Sequence, residues 1–261
     1  MKSLKPILVI LLVFPFVLLP LSPIEEVKAQ STIYIRADGS VEGTDKIQRT
    51  GDIYTLTDNI TNGIVVEKDN IVIDGACYTL EGDGNTRGVN LANQNYMTIK
   101  NLVIVNFSSG IYCSATGNNS FLNNYIIDCE FGIDFLGSSD NLIKYNTFKN
   151  NSIDISICYT RGGINVITQN SIDSFVQVWM SDQPIIDMNY WTDYNGTDSD
   201  GDGIGDSAYF YHDILQDSHP LIEPVPVIPE FPSWAPMLLT LITLTVILVV
   251  YRKRLPKTPN N

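Results

Sequence analysis

Short apolar runs alternate with asparagine through the middle of the chain at a regular interval of 22 to 24 residues. Four asparagines show the interval best, spaced by 23, 22 and 24 residues, at Asn101, Asn124, Asn146 and Asn170. Two residues after each stands an apolar side chain: Val103, Ile126, Phe148 and Ile172. Four further asparagines, Asn95, Asn119, Asn141 and Asn165, open the units. Self-similarity at this length indicates a solenoid built from stacked repeats.

A second short strand follows in each unit, at Ile111, at 133–135, at 153–157 and at 176–178. The leucine framework of leucine-rich repeats is absent, and no stretch of the repeats carries apolar residues at helical spacing. Short β-runs that coil so that each turn hydrogen-bonds to the next give parallel sheets around an apolar interior. The sequence therefore predicts an all-β fold, a right-handed parallel β-helix, in which corner asparagines form structural ladders.

The two ends of the chain read as membrane-targeting segments. Residues 1–29 carry Lys2 and Lys5, an apolar run and a small-residue exit at Ala29, which is typical of a secretory signal peptide, with an uncleaved signal anchor as the alternative. Residues 234–251 form an apolar segment close to the length of a transmembrane helix, followed by a basic tail, 252–261. Because basic residues stay on the cytoplasmic side, these segments predict a single-pass type I protein of the cell membrane, with its domain outside.

The remaining chain divides into four parts. We expect N-terminal entry strands over 30–68, β-helix repeats over 69–188, a C-terminal cap over 189–222 and a proline-rich stalk over 223–233. The charge follows this division: residues 30–232 hold 9 Lys and Arg against 27 Asp and Glu, while every charge after position 232 is basic. The overall net charge of −13 argues against nucleic acid as a partner.

The repeats resemble those of the NosD-type β-helix proteins, also called the carbohydrate-binding and sugar-hydrolase β-helix family. The stretch 189–206 is similar to the terminal segment of archaeal surface members, 32–40 and 52–56 look like their entry strands, and 230–234 resembles the junction before an archaeal membrane anchor. The resemblance implies a β-helix fold and suggests copper. Copper prefers Cys, Met or His, and the exported region offers few of these, so we expect copper binding less than calcium binding. The available donors are His212, His219, Met97, Met180, Met188, Cys77, Cys113, Cys129 and Cys158.

An acidic loop in the predicted cap carries the strongest chemical signal. Carboxylates at alternate positions followed by glycine suit a hard cation, and the pattern resembles the first half of an EF-hand loop and the loops of thrombospondin type 3 repeats. The predicted Ca²⁺ ligands are Asp198, Asp200, Asp202, the Ile204 carbonyl and Asp206. Tyr209 stands where an EF-hand has its bidentate Glu, so Asp213, Asp217 or water must complete the shell. A solvated acidic turn without a cation is the alternative.

Polysaccharide cleavage is the main enzymatic alternative, because glycoside hydrolysis needs two facing carboxylates. Asp134 and Asp154 lie on comparable predicted strands with side chains predicted to point outward, beside Tyr112, Gln177 and Trp179. Outward strand positions are polar in any case. The sequence thus predicts a membrane-anchored, calcium-stabilised β-helix that acts as a surface structural or carbohydrate-binding module, with polysaccharide or cell-envelope components as partners. A polysaccharide lyase or hydrolase and a periplasmic copper-binding protein are the alternatives.

The four cysteines lie in the exported, oxidising part of the chain. Cys113 and Cys158 are predicted to lie about two turns apart, roughly 10 Å, which is beyond the reach of a disulfide. Cys129 falls five residues after a corner asparagine, as Asn106 and Asn151 do. We therefore expect buried thiols in the wall of the coil rather than disulfides.

Overall fold

A computed structural model describes residues 32–160, 162–212 and 215–226. Within these ranges the chain forms strands and turns, which confirms the all-β prediction, and none of it is a helix with the length and apolar character of a membrane span. The predicted signal peptide, the transmembrane helix, the cytoplasmic tail and residues 227–233 of the predicted stalk lie outside the described residues.

The described chain contains 25 strands. They are β1 (Ile33–Ile35), β2 (Val41–Glu42), β3 (Ile47–Thr50), β4 (Ile53–Leu56), β5 (Ile60–Thr61), β6 (Ile64–Val66), β7 (Val72–Asp74), β8 (Thr79–Glu81), β9 (Arg87–Asn90), β10 (Thr98–Lys100), β11 (Val103–Val105), β12 (Ser109–Ser114), β13 (Ser120–Leu122), β14 (Tyr125–Ile127), β15 (Phe131–Leu136), β16 (Leu142–Lys144), β17 (Thr147–Lys149), β18 (Ile153–Cys158), β19 (Val166–Thr168), β20 (Ser171–Ile172), β21 (Val176–Trp179), β22 (Ile185–Asp187), β23 (Tyr190–Trp191), β24 (Tyr209–His212) and β25 (Leu215–Asp217).

The strands coil into a parallel β-helix with three faces. Sheet A has the order β2-β1-β6-β9-β12-β15-β18-β21, sheet B the order β22-β19-β16-β13-β10-β7-β4-β3, and sheet C the order β23-β20-β17-β14-β11-β8-β5. Each turn passes through sheets B, C and A in that sequence. We number the turns 1 (β4–β6), 2 (β7–β9), 3 (β10–β12), 4 (β13–β15), 5 (β16–β18) and 6 (β19–β21), and β22 and β23 begin a seventh. The predicted β-helix is confirmed, but the sheet B strands of turns 3 to 6 were missing from the prediction.

Stacked apolar side chains fill the interior because equivalent residues pair directly from turn to turn. In sheet B, Ile99 pairs with Phe121, Phe121 with Ile143, and Ile143 with Ile167, and all four are buried. Sheet A stacks Ile111, Ile133, Ile155 and Val176 in the same way. Since period-2 alternation points every second residue inward, a three-residue strand contributes one core side chain and presents two to solvent.

The corner between sheets B and C carries the predicted asparagine ladder, with one correction. Asn124, Asn146, Asn170 and Asn189 are completely buried. Lys100 pairs with Leu122, so Asn101 is equivalent to Asn123, and Leu102 occupies the ladder position in turn 3. Asn101 was therefore placed one residue out of register. The residue before each ladder position has a left-handed backbone, with φ of 54° at Asn101 and at Asn123, which asparagine tolerates better than most residues.

Each buried asparagine bonds to the turns on both sides. Asn146 Nδ2 donates to the Phe121 carbonyl (2.8 Å) and to Asn170 Oδ1 (3.1 Å), while its Oδ1 accepts from the Asn124 backbone N–H and from Asn124 Nδ2, both at 2.9 Å. A second ladder at the A–B corner contains Asn119, Asn141 and Asn165, as predicted. Asn95 is outside it, because Met97 is the residue equivalent to Asn119. These ladders satisfy corner amides that the three short sheets leave unpaired.

The cysteines follow the register of the walls. Cys113 pairs with Phe135 inside the coil, and burial raises the pKa of its thiol; burial also raises the pKa of Cys129 to about 11. Cys158 pairs with Leu136 on the outer surface and is half-buried. The expected buried thiols are confirmed for Cys113 and Cys129, but the expectation is wrong for Cys77, which is exposed. The equivalents of Cys129 are Phe107 and Asn151, so the comparison with Asn106 was wrong by one residue.

A buried carboxylate ends the B–C ladder at the C-terminal side. Asp217, in the antiparallel hairpin β24–β25, accepts the backbone N–H of Asn189 (2.8 Å) and Trp191 Nε1 (3.0 Å) through Oδ2. Its Oδ1 accepts the backbone N–H groups of Met188 (2.9 Å) and His219 (3.1 Å). Asp217 thus takes the place of the next asparagine, and it fixes the cap to the last turn.

Candidate functional site

A row of polar side chains runs across the outer surface of sheet A. Tyr112 pairs with Asp134, Asp134 with Ser156 and Ser156 with Gln177, so the four residues stack at one strand position through turns 3 to 6. Partial burial raises the pKa of Asp134, while Ser156 and Arg87 act in the opposite direction. The Arg87 guanidinium lies 3.4 Å above the centre of the Tyr112 ring. Ser156 is buried and Arg87 covers one face of the Tyr112 ring, so the row offers the half-buried side chains of Tyr112, Asp134 and Gln177 for hydrogen bonds.

Exposed apolar side chains lie next to this row, where the sheet A strands end. We call Leu136, Tyr159, Trp179 and Met180 the aromatic patch. Leu136 and Trp179 are the register equivalents of Cys158 in the turns before and after it. The rings of Tyr159 and Trp179 meet edge to face with centroids 4.9 Å apart, and they are 45% and 51% exposed. Exposed apolar groups beside polar ones are typical of a binding surface.

The sequence predicted an outward-facing Trp179, but it gave no prediction for Tyr159. Tyr159 lies beyond the end of β18, at a corner with φ of 60°, so strand alternation does not predict where its side chain points. Its only sequence signal is an aromatic residue directly after a strand. The backbone conformation is the reason why it emerges beside Trp179.

Asp154 lies elsewhere, and the prediction that it points outward is wrong. It pairs in register with Gly132, next to Phe131 and Ile153, and its side chain is completely buried at the corner between sheets C and A. Oδ2 accepts the backbone N–H groups of Asp173 and Ser174, each at 2.8 Å, and Oδ1 accepts Asn151 Nδ2 at 3.0 Å. The structure therefore does not place Asp134 and Asp154 in one outward row, and Asp154 ties adjacent turns together.

The burial of Asp154 predicts a pH dependence of stability. Burial raises the pKa of Asp154 to about 6, although hydrogen bonds from Ser174, Asn151 and Asp173 oppose the shift. Because the folded pKa exceeds the unfolded one, the native state binds the proton more tightly. This group therefore lowers the free energy of unfolding as pH rises from about 4 to about 6, by about 2 to 3 kcal/mol in total. Urea denaturation across this range should show that fall in wild type and lose it in Asp154→Asn. An exposed-site variant, Asp182→Asn, controls for the removed charge, and parallel curves for wild type and Asp154→Asn would contradict the assignment.

The acidic loop brings three of its predicted ligands together. One oxygen from each of Asp198, Asp200 and Asp202 lies within 4.8 Å of the others. Asp198 also organises the turn, because it accepts the backbone N–H groups of Gly201 (2.8 Å) and Gly203 (3.0 Å). Such a turn lets several oxygens converge on one point, as a hard cation requires.

The other predicted ligands have different surroundings. Asp206 accepts Ser199 Oγ (2.6 Å) and Thr197 Oγ1 (2.9 Å), and these bonds lower the pKa of its carboxyl. Ile204 forms an isolated bridge with Leu221, which ties the loop to the end of the cap. Both oxygens of Asp217 are engaged in the ladder, and Asp213 lies outside the described residues.

The soft donors considered for copper are dispersed among the described residues. Met97 is buried in the core, Met180 belongs to the aromatic patch, and Met188 lies at a corner of the last turn. His219 Nδ1 lies 2.8 Å from Asp187, which raises the pKa of the histidine. The side chain of His212 is outside what the structure describes. In the described part of the chain, the one cluster of three or more Cys, His, Asp or Glu ligands is Asp198, Asp200 and Asp202.

The fold and its outer face define the class of protein: a parallel β-helix that presents polar and aromatic side chains on the outer surface of sheet A. Comparison with known families agrees, since the family described as periplasmic copper-binding protein (NosD) matches residues 39–196. The chain belongs to the NosD family, as the resemblance implied, and is an extracytoplasmic β-helix protein. No curated protein and no solved structure matches it.

Proposed function

We propose that this protein is a cell-surface carbohydrate-binding module whose binding face is sheet A. The observation that supports this most strongly is the aromatic patch, with Trp179 and Tyr159 exposed beside the polar row of Tyr112, Asp134, Ser156 and Gln177. Aromatic rings offer apolar faces for sugar rings, and the row offers hydrogen bonds for hydroxyl groups. Equivalent positions repeat at about 4.8 Å from turn to turn, which suits a repeating chain laid across the strands.

Binding without cleavage fits the arrangement of the carboxylates. In turns 3 and 5 the positions stacked on Asp134 hold Tyr112 and Ser156, and the other candidate, Asp154, is buried with both oxygens accepting hydrogen bonds. Acid hydrolysis of a glycosidic bond by the usual route needs a pair of carboxyl groups on either side of that bond. Asp134 and Asp154, the two carboxylates that the sequence suggested, do not form such a pair, so we propose a binding role.

Trp179→Ala should weaken glycan binding about tenfold or more, because truncating a central aromatic anchor typically costs about 2 kcal/mol. Binding of the purified intact chain to an array of neutral and acidic oligosaccharides measures the effect. Neutral glycans should be preferred, since residues 30–232 carry 27 acidic against 9 basic side chains. Phe210→Ala is the matched control, because Phe210 is 69% exposed but lies in the cap, away from the patch. Equal losses in the two variants would contradict the proposed site.

We also propose that Ca²⁺ stabilises the cap through Asp198, Asp200 and Asp202, with the Ile204 carbonyl and Asp206 as the further predicted ligands. The convergence of three carboxylates supports this, because uncompensated negative charges at this distance repel one another. The loop is tied to the cap by hydrogen bonds from Gly205 to the Pro220 carbonyl (2.8 Å) and from Ile222 to the Gly203 carbonyl (3.1 Å). An ion bound here would therefore stabilise the C-terminal end of the coil.

Calcium at a thousand times its dissociation constant should raise the free energy of unfolding by about 4 kcal/mol. Thermal melts with Ca²⁺ and with a chelator measure the shift, which should vanish in Asp200→Ala, because alanine offers no ligand oxygen. Asp45→Asn, an exposed acidic site at the opposite end of the coil, should keep the full shift. Identical melting temperatures with and without chelator would rule out a structural calcium ion.

Membrane anchoring completes the proposal. Residues 234–251 and the basic cluster Arg252, Lys253 and Arg254 support a single-pass type I orientation, and residues 1–29 support export. Retention of the chain in the membrane fraction after carbonate washing, lost on truncation at position 233, tests this anchor.

Copper binding is a second candidate, favoured by the description of the family that matches the chain. Its donors would come from Met188, His219 and His212 near the last turn. Stoichiometric retention of Cu(I) by the purified chain, lost in Met188→Ala or His212→Ala, would support this function over carbohydrate binding.

A further inference from the structure

The coil and its cap contain five Asn-X-Ser/Thr triplets, in which X is not proline. In an exported protein such a triplet is the acceptor for an N-linked glycan when it lies in a surface loop. A repeat rich in asparagine also produces such triplets for structural reasons, so the contacts of each one distinguish an acceptor from a corner residue. The triplets begin at Asn59, Asn106, Asn118, Asn150 and Asn195.

The asparagine amides of two triplets are used inside the domain. Asn106 Nδ2, the atom to which a glycan would be attached, donates to the Gly82 carbonyl at 3.0 Å. Asn59 Oδ1 accepts the backbone N–H of Thr79 at 2.9 Å, which fixes the orientation of its amide. These two side chains therefore hold adjacent turns together.

In two further triplets the third residue is constrained. Thr197, which completes the triplet at Asn195, donates through Oγ1 to Asp206 in the acidic loop at 2.9 Å. Ser120, which completes the triplet at Asn118, begins β13 and is half-buried within sheet B. A glycosyltransferase has to reach the asparagine and the hydroxyl group together, so neither triplet presents a freely accessible acceptor.

The triplet Asn150-Asn-Ser152 has neither constraint. It forms the corner between β17 and β18, and both Asn150 and Ser152 are exposed. The Asn150 backbone has φ of 54°, and its N–H donates to Asp173 Oδ2 at 3.0 Å. The Ser152 N–H donates to the Cys129 carbonyl, and the Ser152 carbonyl accepts Ser174 Oγ. The backbone of this corner is thus fixed, while the Asn150 amide and the Ser152 hydroxyl form no hydrogen bond within the described residues.

We propose that Asn150 is an N-glycosylation site whose donor is an oligosaccharide carried on a lipid phosphate. Asn150 Nδ2 forms a bond to the anomeric carbon of the donor, and the bond from that carbon to the phosphate oxygen breaks. The lipid phosphate leaves with the electron pair, and the amide loses one proton, so nothing is oxidised or reduced. Asp128 and Asp173, the corner residues of the turns before and after, are also exposed, which leaves room for a bulky polar group.

A glycan at Asn150 leaves the aromatic patch open. Asn150 precedes β18 and Tyr159 follows it, so they lie at opposite ends of a strand of six residues, about 20 Å long. The glycan would add a hydrated group at the corner between sheets C and A, whereas the patch lies toward the corner between sheets A and B. Glycosylation of Asn150 therefore does not depend on the proposed carbohydrate binding.

Mass spectrometry of the intact chain, isolated from the cells that produce it naturally, tests this site. Fragmentation of the peptide that contains residue 150 should locate the mass of an oligosaccharide on Asn150. Asn150→Gln and Ser152→Ala, expressed in the same cells, should each lose this mass. Asn93→Gln should retain it, because Asn93 is an exposed corner asparagine with a similar φ of 62° that is not followed by the required Ser or Thr.

An unmodified Asn150 in the natural chain would overturn the proposal. An added mass that persists in Ser152→Ala would overturn it too, because transfer to this triplet requires the hydroxyl group. The measurement on the natural chain needs no variant, so it holds even if a variant does not fold. No glycan ligand is added at any stage, so a failure here and a failure of carbohydrate binding are separate results.

Discussion

Replacing Asn146 by alanine is expected to lower the free energy of unfolding by about 3 to 5 kcal/mol, a large part of the stability of a typical domain. Asn146 is completely buried, and its amide bonds to turns 4 and 6 at once. Its removal leaves the backbone N–H of Asn124 and the carbonyl of Phe121 without these partners inside the corner. Each buried polar group left unsatisfied costs about 1 to 3 kcal/mol. Asn146→Leu should also be destabilised, because a leucine side chain cannot form these hydrogen bonds.

Urea denaturation of the intact chain measures this loss, with Asn85→Ala as the control. Asn85 is exposed in the loop before β9, so its replacement should change the stability by no more than about 0.5 kcal/mol. Similar small effects at the two sites would show that the ladder is not a source of stability.

Replacing Asp217 by alanine is expected to destabilise the protein by a similar amount, about 3 to 5 kcal/mol, because a buried carboxylate with several N–H donors is lost. Four residues donate to it: Met188, Asn189, Trp191 and His219. Asp217→Asn should recover part of the loss, since one oxygen remains as an acceptor while the new amide faces N–H groups. Retaining most of the wild-type stability in Asp217→Ala would refute the role of this residue as the end of the ladder.

The effect of Asp217 should also be local to the C-terminal end. Hydrogen exchange in Asp217→Ala should accelerate first in β22, β23 and the cap, because the solenoid is stabilised by contacts between neighbouring turns. In Asn146→Ala the acceleration should centre on turns 4 to 6. The two variants together distinguish a ladder that holds each turn to the next from a core that is stabilised by apolar packing alone.

The interval of the repeat was readable from the sequence because each turn repeats the same chemistry at the corners. The strands of sheet B could not be predicted from the sequence. Runs such as Thr98–Lys100 hold one apolar residue between polar ones and are too short to show a period. The one-residue shift at Asn101 has a related cause. Asn123 and Asn124 are adjacent asparagines with opposite roles, one with left-handed backbone and one buried, and the sequence does not show which of them Asn101 matches.

Strand alternation wrongly predicted that Asp154 points outward, but another feature of the sequence indicates its burial. Gly88, Gly110 and Gly132 stand at the equivalent position in the three preceding turns, where a Cβ would contact the next turn at 2.4 to 2.7 Å. A column of glycines indicates close backbone approach, so the residue that follows in the column belongs to a corner and not to an outer face. Trp179, by contrast, was correctly predicted on the outer face, because the alternation of β21 with the buried Val176 is regular enough to follow.

The central proposal, a carbohydrate-binding face on sheet A, is tested most directly by tryptophan fluorescence during titration with the glycan that binds best on the array. Among the described residues, tryptophan occurs at the exposed Trp179 and at the buried Trp191. The proposal predicts a saturable change in emission of the intact chain that disappears in Trp179→Phe. A change of the same size in Trp179→Phe, or glycan binding with no change in emission, would contradict it.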